Sequence, residues 1–434
     1  MYIHRVILEN IRGFVDLDLT FDHPSIEGHL YPGWNVLTGD NASGTSTFLK
    51  AIALGLLGPE IARALQPTLR GWLRDGEAIG RIAIEIVPSE ADSFAKGGPR
   101  PKGSFFAELE LTRRSDGEVA LAPGKKFLRK QKSAINGPWQ LDQLVWFSAA
   151  YGPFRRLYGS SPEAMRLMSA PGRPPRYATL FKEDATLGEA QIWLQELRFK
   201  ALEKDVAASG LLDSVLTLLN SEFLRNGLRV SKVDSEGLWL KNDDGVILPL
   251  AEMSDGYRSS LALLIDIVRH ISIAYGQQSL IVRNADGTVH VPHKGVVLID
   301  EVDAHLHPEW QRLIGFWLKS HFPNIQFIVT SHSAFVCQAA DELGLYRLPS
   351  ISSGDVPHRL SKEVWERVVS GTPDSILRSD AFGLDYTRSP IAVEARAEWG
   401  RLKAKSESQA LSAADRVRME QLELFAKSDV GGGE

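Results

Sequence analysis

The sequence predicts an α/β fold with a mixed or parallel central sheet, because three largely apolar runs each end abruptly in polar residues. The runs cover residues 34–38, 295–299 and 324–330. Runs of this length and composition are typical of strands that are buried on both faces of a parallel sheet. Ligands of such sheets bind beyond the carboxyl ends of the strands. The polar residues that follow the three runs are therefore candidates for a functional site.

The composition is typical of a soluble globular protein. Of its residues, 44% are hydrophobic and 24% are charged. The length of 434 residues allows one large domain with inserts or two domains. No stretch approaches the roughly 20 apolar residues of a membrane span, and the amino terminus lacks the apolar core of a signal peptide. The single cysteine, Cys337, fits a reducing cytosol, so we expect a cytoplasmic protein with no membrane partner. The net charge of −5 gives no indication of nucleic-acid binding beyond a local patch.

The run at residues 295–299 is followed directly by two carboxylates, Asp300 and Glu301. Adjacent strand residues point to opposite faces, so the two side chains can take separate roles. One could hold Mg²⁺, which prefers hard oxygen ligands, and the other could polarise a water molecule. The alternative is a strand that ends in an ordinary solvated acidic turn.

A glycine-rich loop connects the run at residues 34–38 to a helical pattern at residues 48–57, which is the context of a phosphate-binding loop. The loop has the spacing G-x-x-x-x-G-K-[ST], with Gly39 and Gly44 at the turn and Ser46 placed to bind Mg²⁺. Thr45 stands where lysine is required, so a charge-assisted contact of about 1.5–3 kcal/mol is missing. We therefore expect the loop to bind its phosphate ligand more weakly, to support a slower reaction of that ligand, or both. The alternative is a Gly/Ser-rich turn before a helix.

Three further segments have both a functional and a structural interpretation. Ser254 suits a helix amino cap and Gly256 lets the backbone approach an anion, but ordinary helix starts look the same, and a helix is expected from about residue 259 to 273. His332, at the end of the third run, is either a chemical or a structural histidine. The basic run at residues 124–132 could contact a phosphate backbone or form a solvated loop.

The remaining segments predict how the chain is organised. Residues 1–20 alternate like a β-hairpin, and residues 81–87 and 104–112 alternate like an antiparallel side lobe. Residues 159–180 carry several prolines and are expected to be a loop, whereas residues 186–226 have helical periodicity. Strand periodicity returns at residues 229–241, and helices are expected at residues 305–322 and within residues 361–427.

The order of these motifs resembles the ABC-type ATPase head, and more narrowly the RecF-like and SMC-like AAA-family ATPases of bacteria. Ile11-Arg12-Gly13-Phe14 is similar to their opening hairpin, and residues 298–308 and 327–333 are similar to their acidic strand and switch-histidine strand. The resemblance covers roughly residues 1–345 in scattered blocks. It implies a P-loop NTPase fold with an antiparallel β side lobe and a helical insert. The implied division is two halves of the head, residues 1–155 and 228–345, a helical insert, 156–227, and a helix-rich extension, 346–434.

The resemblance also implies a role for each candidate residue. Glu301 would be the general base or water-orienting carboxylate, His332 would contact the γ-phosphate, and Asp303 would face a second subunit. Ser46 and Asp300 would hold Mg²⁺. Ser254 and Gly256 would form the signature motif that caps the ATP of a second, head-to-tail subunit. The residues implied to wrap the triphosphate are Gly39, Asn41, Ala42, Ser43, Gly44, Thr45, Ser46 and Thr47.

Relatives of this kind place a glutamine-containing loop near the position of Tyr151. Residues 147–153 contain no glutamine, so the glutamine contact to Mg²⁺ or water is missing from this loop.

The leading hypothesis is an ATP-binding and ATP-hydrolysing homodimer that acts in DNA transactions or anti-phage defence, beside DNA, an effector nuclease or another protein partner. The alternative is a nucleotide-sensing scaffold that binds ATP and regulates a partner with little or no hydrolysis. Thr45 favours the scaffold, whereas Glu301 and His332 favour the enzyme. An OLD-type nuclease would need an added acidic metal domain, for which the helical residues after Leu345 are too few. The hairpin and inserts disfavour a membrane transporter subunit.

Overall fold

The computed structural model describes residues 1–21, 33–94, 101–141, 145–225, 227–277, 279–350 and 353–427. In chain order, its strands are β1 (Tyr2–Ile11), β2 (Phe14–Thr20), β3 (Trp34–Gly39), β4 (Ile79–Val87), β5 (Phe105–Arg113), β6 (Val119–Pro123), β7 (Ser148–Tyr151), β8 (Arg229–Asp234), β9 (Gly237–Lys241), β10 (Ile247–Pro249), β11 (Val282–Arg283), β12 (Val289–His290), β13 (Gly295–Ile299), β14 (Ile325–Thr330), β15 (Leu345–Leu348) and β16 (His358–Arg359).

Its helices are α1 (Thr45–Leu65), α2 (Leu128–Asn136), α3 (Pro162–Met168), α4 (Ala178–Phe181), α5 (Gly188–Leu202), α6 (Val206–Leu219), α7 (Asp255–Tyr275), α8 (Pro308–His321), α9 (Ala334–Cys337), α10 (Lys362–Ser370), α11 (Pro373–Leu377), α12 (Pro390–Ser408) and α13 (Ala413–Lys427). Within the described ranges, no helix combines the length and the apolar character needed to cross a membrane.

The predicted α/β sheet is confirmed. Six strands lie side by side in the order β16-β15-β3-β14-β13-β7. The pairs β15–β3, β3–β14, β14–β13 and β13–β7 are parallel, and only the short strand β16 pairs antiparallel. The carboxyl ends of β3, β14, β13 and β7 therefore meet along one edge of the sheet.

The predicted hairpin and the predicted side lobe are confirmed, and together they form one antiparallel sheet in the order β2-β1-β4-β5-β6. Helix α1 is buried against this sheet and one face of the central sheet, which includes Leu298 and Ile328. A helix that is covered on opposite sides needs apolar residues around most of its circumference, as the stretch from Thr47 to Gly58 has.

The other face of the central sheet is covered by helices. Alternate strand residues such as Val297 and Phe327 share one core with α5, α6, α7 and α8. Helix α7 is buried along most of its length, and α5 packs on it. The helical periodicity predicted within residues 186–226 is confirmed as α5 and α6, and the strand periodicity at 229–241 as β8 and β9. Residue 226 lies outside the described residues.

Several predicted boundaries were wrong. Residues 159–180 are not simply a loop, because α3 and α4 lie there together with a 3₁₀ turn at Pro174–Tyr177. Pro162, Pro174 and Pro175 are compatible with helix because they occupy first-turn positions, where the missing N–H has no partner within the helix. Helix α7 begins at Asp255, four residues earlier than predicted, and α8 begins at Pro308 because residues 301–305 form a turn. The basic run at 124–132 enters α2, and the side chains of residues 128–131 lie outside the description.

Candidate functional site

The glycine-rich loop after β3 forms a cradle at the start of α1. Gly44 has a φ of 93°, and a Cβ added there would lie 2.8 Å from the Phe14 ring, so both backbone and space require glycine. No side chain caps the amino terminus of α1, whose first backbone N–H groups remain available to an anion. The Ser43 hydroxyl is buried without a hydrogen-bond partner in the described part of the chain. The loop therefore presents unpaired donors, as a phosphate-binding loop does.

A cleft of about 290 Å³ opens beside this cradle. The residues that line it come from the β1–β2 turn and from the loop: Arg12, Gly13, Phe14, Ala42, Gly44, Thr45, Ser46 and Thr47. Gly39 lies at the end of β3, Asn41 is exposed on the loop, and Ala42 has a left-handed φ of 68°. Five of the eight predicted triphosphate-binding residues thus line one opening, and Gly39, Asn41 and Ser43 lie beside them on the same loop.

Two cations near this cleft were missed by the sequence analysis. Arg12 donates from Nη1 to Thr47 Oγ1 at 3.0 Å, and its guanidinium lies 4.6 Å from the centroid of the Trp72 ring. Lys50 lies one helical turn after Ser46, so the two side chains share a face of α1. Burial lowers the pKa of Lys50, and the nearby Asp300 carboxylate opposes that shift. Helical spacing could have identified Lys50, whereas the approach of Arg12 depends on the tertiary fold.

The acidic turn after β13 is held by hydrogen bonds to β14 and β7. Asp300 is 2% exposed, and its Oδ1 accepts from the Thr330 hydroxyl at 2.6 Å. The same hydroxyl oxygen accepts from the Glu301 N–H at 2.7 Å, and the Asp300 N–H donates to the Tyr151 carbonyl at 2.8 Å. Glu301 is half-buried with a left-handed φ of 46°. The two carboxylates therefore have fixed and different environments.

Arg155 reaches this turn from the segment after β7, and the sequence analysis missed it. Its guanidinium donates to the carbonyls of Gly152, Asp300 and Glu301 at 2.9, 2.9 and 3.0 Å. Burial lowers the pKa of Arg155 to about 10, against the opposing effect of the acidic residues around it, so the side chain stays charged at neutral pH. Tyr151, which the sequence analysis considered for this region, instead directs its hydroxyl into the core toward Asp266.

His332 lies where predicted, at the end of β14 and beside the acidic turn. Its side chain is exposed, whereas the flanking serines are buried. Ser331 Oγ accepts from the Ser333 N–H at 3.0 Å, and Ser333 Oγ donates to Gln311 at 2.7 Å. These contacts fix the loop and leave the imidazole facing outward at the sheet edge.

Ser254 and Gly256 do not join the cleft beside α1. Ser254 occupies the amino-cap position of α7, yet its exposed side chain makes no capping hydrogen bond. A Cβ added to Gly256 would lie 2.6 Å from the His305 carbonyl, so the start of α7 packs tightly on the loop after the acidic turn. In that loop, Asp303 Oδ1 is buried without a hydrogen-bond partner among the described residues. Ser254, Gly256 and His305 line a second pocket of about 230 Å³, whose lining shares no residue with the cleft.

The chemistry of the candidate metal ligands fits Mg²⁺. The Ser46 hydroxyl and the Asp300 carboxylate supply hard oxygen atoms. Across the described ranges, no three His, Cys, Asp or Glu side chains form a metal-binding cluster. A Mg²⁺ site with one or two protein ligands would be completed by substrate phosphate and water.

The parallel sheet, the glycine-rich loop and the Asp300-Glu301 turn are the features expected of an AAA-family domain. The chain belongs to the family described as "AAA domain, putative AbiEii toxin, Type IV TA system", whose model matches residues 90–338. The matched residues include Ser254, Asp300, Glu301 and His332, and they begin after the glycine-rich loop.

Among curated relatives, the Septu protein PtuA of Bacillus thuringiensis is 32% identical over 178 residues, which cover 41% of this chain and 43% of that protein. The Retron Ec83 probable ATPase of Escherichia coli is 41% identical over 105 residues, which cover 24% of this chain and 18% of that protein. The chain thus spans less than half the length of these two relatives. A solved Smc head domain derived from Pyrococcus furiosus, bound to the C-terminal domain of ScpA, aligns with a TM-score of 0.45 and 14% identity. The alignment covers 85% of this chain and 98% of that one.

Proposed function

We propose that this protein binds ATP with Mg²⁺ in the cleft beside α1 and hydrolyses it. The observation that carries the proposal is the uncapped amino terminus of α1 behind a loop whose donors are unpaired. Asp300 and Glu301 follow β13, which lies two strands away from β3 in the same sheet. An anion held by the loop would therefore lie at the edge that also carries the two carboxylates.

The surroundings of the loop support nucleotide binding in spite of Thr45. A loop lysine would contribute one positive charge to the phosphates. Arg12 lines the cleft, and Lys50 is half-buried near Asp300 with no ion pair to any described residue. We propose that these two cations take over the neutralisation of phosphate charge that Thr45 cannot provide.

The proposed mechanism assigns one task to each polar group. The loop N–H groups and Ser43 bind phosphate oxygens, and Ser46 and Asp300 would hold Mg²⁺. The metal ion, when bound, supplies positive charge to the phosphate oxygens. Glu301 orients the attacking water and accepts its proton, and His332 faces the γ-phosphate. Phosphoryl transfer depends mainly on such positioning and charge stabilisation.

We further propose a homodimer in which Ser254 and Gly256 of one subunit cap the nucleotide of the other. The separation of their pocket from the cleft within one chain supports this arrangement. The exposed Ser254 hydroxyl, which makes no capping bond in its own helix, is free to contact a phosphate of a second subunit.

For the biological role we propose anti-phage defence beside a protein partner such as an effector nuclease, since relatives carry the names Septu and Retron. We also propose DNA as a partner that this protein contacts. The second candidate is a scaffold that binds ATP and regulates its partner with little hydrolysis, which Thr45 favours.

The test is steady-state ATP hydrolysis and equilibrium ATP binding of the parent protein, Glu301→Gln and Thr45→Lys, with Glu118→Gln in an exposed turn as the matched control. Hydrolysis by the parent that Glu301→Gln lowers to a residual rate and Glu118→Gln retains would establish the enzyme. Binding without hydrolysis in the parent, with activity gained in Thr45→Lys, would favour the scaffold. A parent that binds no ATP would contradict both.

A further inference from the structure

The backbone N–H groups of the acidic turn are held by the two strands that flank β13 in the sheet. The Glu301 N–H donates to Thr330 Oγ1 at 2.7 Å, and the Val302 N–H donates to the Thr330 carbonyl at 3.0 Å. The Asp300 N–H donates to the Tyr151 carbonyl at 2.8 Å. The neighbouring strands β14 and β7 thus anchor three successive amides.

The carbonyl groups of the same turn are held by one side chain, that of Arg155. Arg155 Nη1 donates to the Asp300 carbonyl at 2.9 Å, and Nη2 donates to the carbonyls of Glu301 at 3.0 Å and Val302 at 3.4 Å. Nη1 also donates to the Gly152 carbonyl at 2.9 Å, which ties the guanidinium to its own segment. Arg155 is 4% exposed, so water does not replace these contacts in the folded protein.

This double anchoring acts on a strained residue. Glu301 has a φ of 46°, and a non-glycine residue keeps this left-handed conformation only where the surrounding structure enforces it. The planar guanidinium has five donors in a fixed geometry and can bind several carbonyls at once. A lysine ammonium at this position would keep the charge, but it has only three donors and no fixed fork.

We propose that Arg155 is a positioning residue that fixes the backbone of Glu301 and thereby aims its carboxylate at the attacking water. Arg155 contacts neither nucleotide nor water in this scheme and acts only through Glu301. The inference rests on the proposed ATPase function for its kinetic consequence, whereas the backbone contacts themselves can be tested without hydrolysis.

The first experiment measures amide hydrogen exchange of the full-length parent, Arg155→Lys and Arg176→Lys. Arg176 is a matched control, because it is also a buried arginine whose pKa is lowered by burial to about 10, but its guanidinium faces the Phe147 ring. We expect faster exchange of the amides of residues 300–302 in Arg155→Lys only. If Arg155→Lys does not fold, Arg155→Gln, which retains two N–H donors without a buried charge, takes its place.

The second experiment separates positioning from general stability by kinetics. A misplaced catalytic group can lower a rate by about 100-fold, so we expect kcat of Arg155→Lys to fall roughly 10- to 100-fold. The Kd for ATP, measured by titration, is expected to change less than about threefold because the cleft beside α1 is untouched. In single turnovers, the double variant Arg155→Lys/Glu301→Gln is expected to be no slower than Glu301→Gln alone, since Arg155 acts through Glu301.

Unchanged exchange at residues 300–302 in Arg155→Lys would overturn the inference. Equal kcat losses in Arg155→Lys and Arg176→Lys, or additive losses in the double variant, would overturn the positioning role in the same way. A parent that hydrolyses no ATP, with the exchange difference present, would instead contradict the proposed hydrolysis and leave the anchoring of the turn established.

Discussion

At the scale of single residues, the feature that most affects the proposed phosphate chemistry is Thr45, which stands where the phosphate-loop motif has lysine. Thr45 lines the cleft but carries no charge, whereas Arg12 lines the same cleft and Lys50 lies near Asp300. Arg12 is preorganised, because it is stacked on Trp72 and hydrogen bonded to Thr47. A preorganised guanidinium loses little freedom on binding phosphate.

Removal of the Arg12 charge tests this compensation. We expect Arg12→Gln to weaken ATP binding roughly 10- to 100-fold, since a charge-assisted hydrogen bond contributes about 1.5–3 kcal/mol. Lys50→Met is expected to act in the same direction. The added lysine of Thr45→Lys should restore affinity in the Arg12→Gln background. Titration calorimetry measures each Kd, with the exposed Arg114→Gln as control, and an unchanged Kd in Arg12→Gln would exclude the compensation.

At the scale of elements, helix α7 connects strand β7 of the central sheet to helix α5 through a buried polar network. Asp266 on α7 accepts from the Tyr151 hydroxyl at 3.0 Å and lies 3.3 Å from His270 Nε2 and 3.1 Å from Arg269 Nη1. Arg269 in turn lies 3.7 Å from Glu189 on α5. The middle of α7 is thereby fixed to the end of β7, which lies beside the acidic turn.

Asp266→Ala is expected to lower the free energy of unfolding by about 3–5 kcal/mol, because it leaves buried donors and a buried charge without their acceptor. Urea denaturation followed by tryptophan fluorescence measures this loss. The control is Asp213→Ala at an exposed position of α6, where a change within about 0.5 kcal/mol is expected. A loss no larger than that of the control would mean that the network does not stabilise the fold.

The same network predicts a pH dependence. Burial lowers the pKa of His270, although Asp266 opposes the shift. The unfolded chain therefore binds a proton at His270 below about pH 6.5 while the folded protein resists doing so. We expect the thermal midpoint of the parent to fall between pH 7 and pH 5, and to fall less steeply in His270→Gln. Parallel slopes for the two proteins would contradict the assignment.

At the scale of the whole molecule, helix α1 lies between two sheets, and Ser254 and Gly256 line a pocket that is separate from the cleft. One chain therefore presents the proposed phosphate-binding loop and the proposed signature residues at different places. In a two-fold symmetric homodimer, the Ser254 surface of each subunit would cover the cleft of the other, so that both clefts are closed.

ATP-dependent assembly tests this arrangement. Glu301→Gln should accumulate a dimer in the presence of ATP and Mg²⁺, since it retains the binding residues and lacks the proposed base. Adding Ser254→Arg should return the protein to a monomer, because a bulky cation would occupy the exposed surface at the start of α7. Light scattering after size exclusion reports the mass, with the exposed Ser408→Arg as control. A monomer in Glu301→Gln with bound ATP would exclude the proposed dimer.

Much of the fold followed from local pattern. The strands at 34–38, 295–299 and 324–330, the hairpin, the side lobe and the helices within 186–226 were predicted, and the structure confirms them. Residues 159–180 were wrongly expected to be a loop, because the same prolines that break helices also suit their first turn. The positions of the candidate site residues on loops were predictable, whereas their proposed chemical roles remain predictions.

The sequence by itself determined which segments end in polar residues and what those residues are, because apolar runs, glycine spacing and helical period are local properties of the chain. Only the tertiary structure decided which strand ends are neighbours, and hence that Arg155 holds a turn 145 residues away and that Arg12 reaches Thr47. Contacts of this kind depend on strand order and on the docking of a second sheet. No local pattern encodes either of them, since both are set by the burial of surfaces distant in sequence.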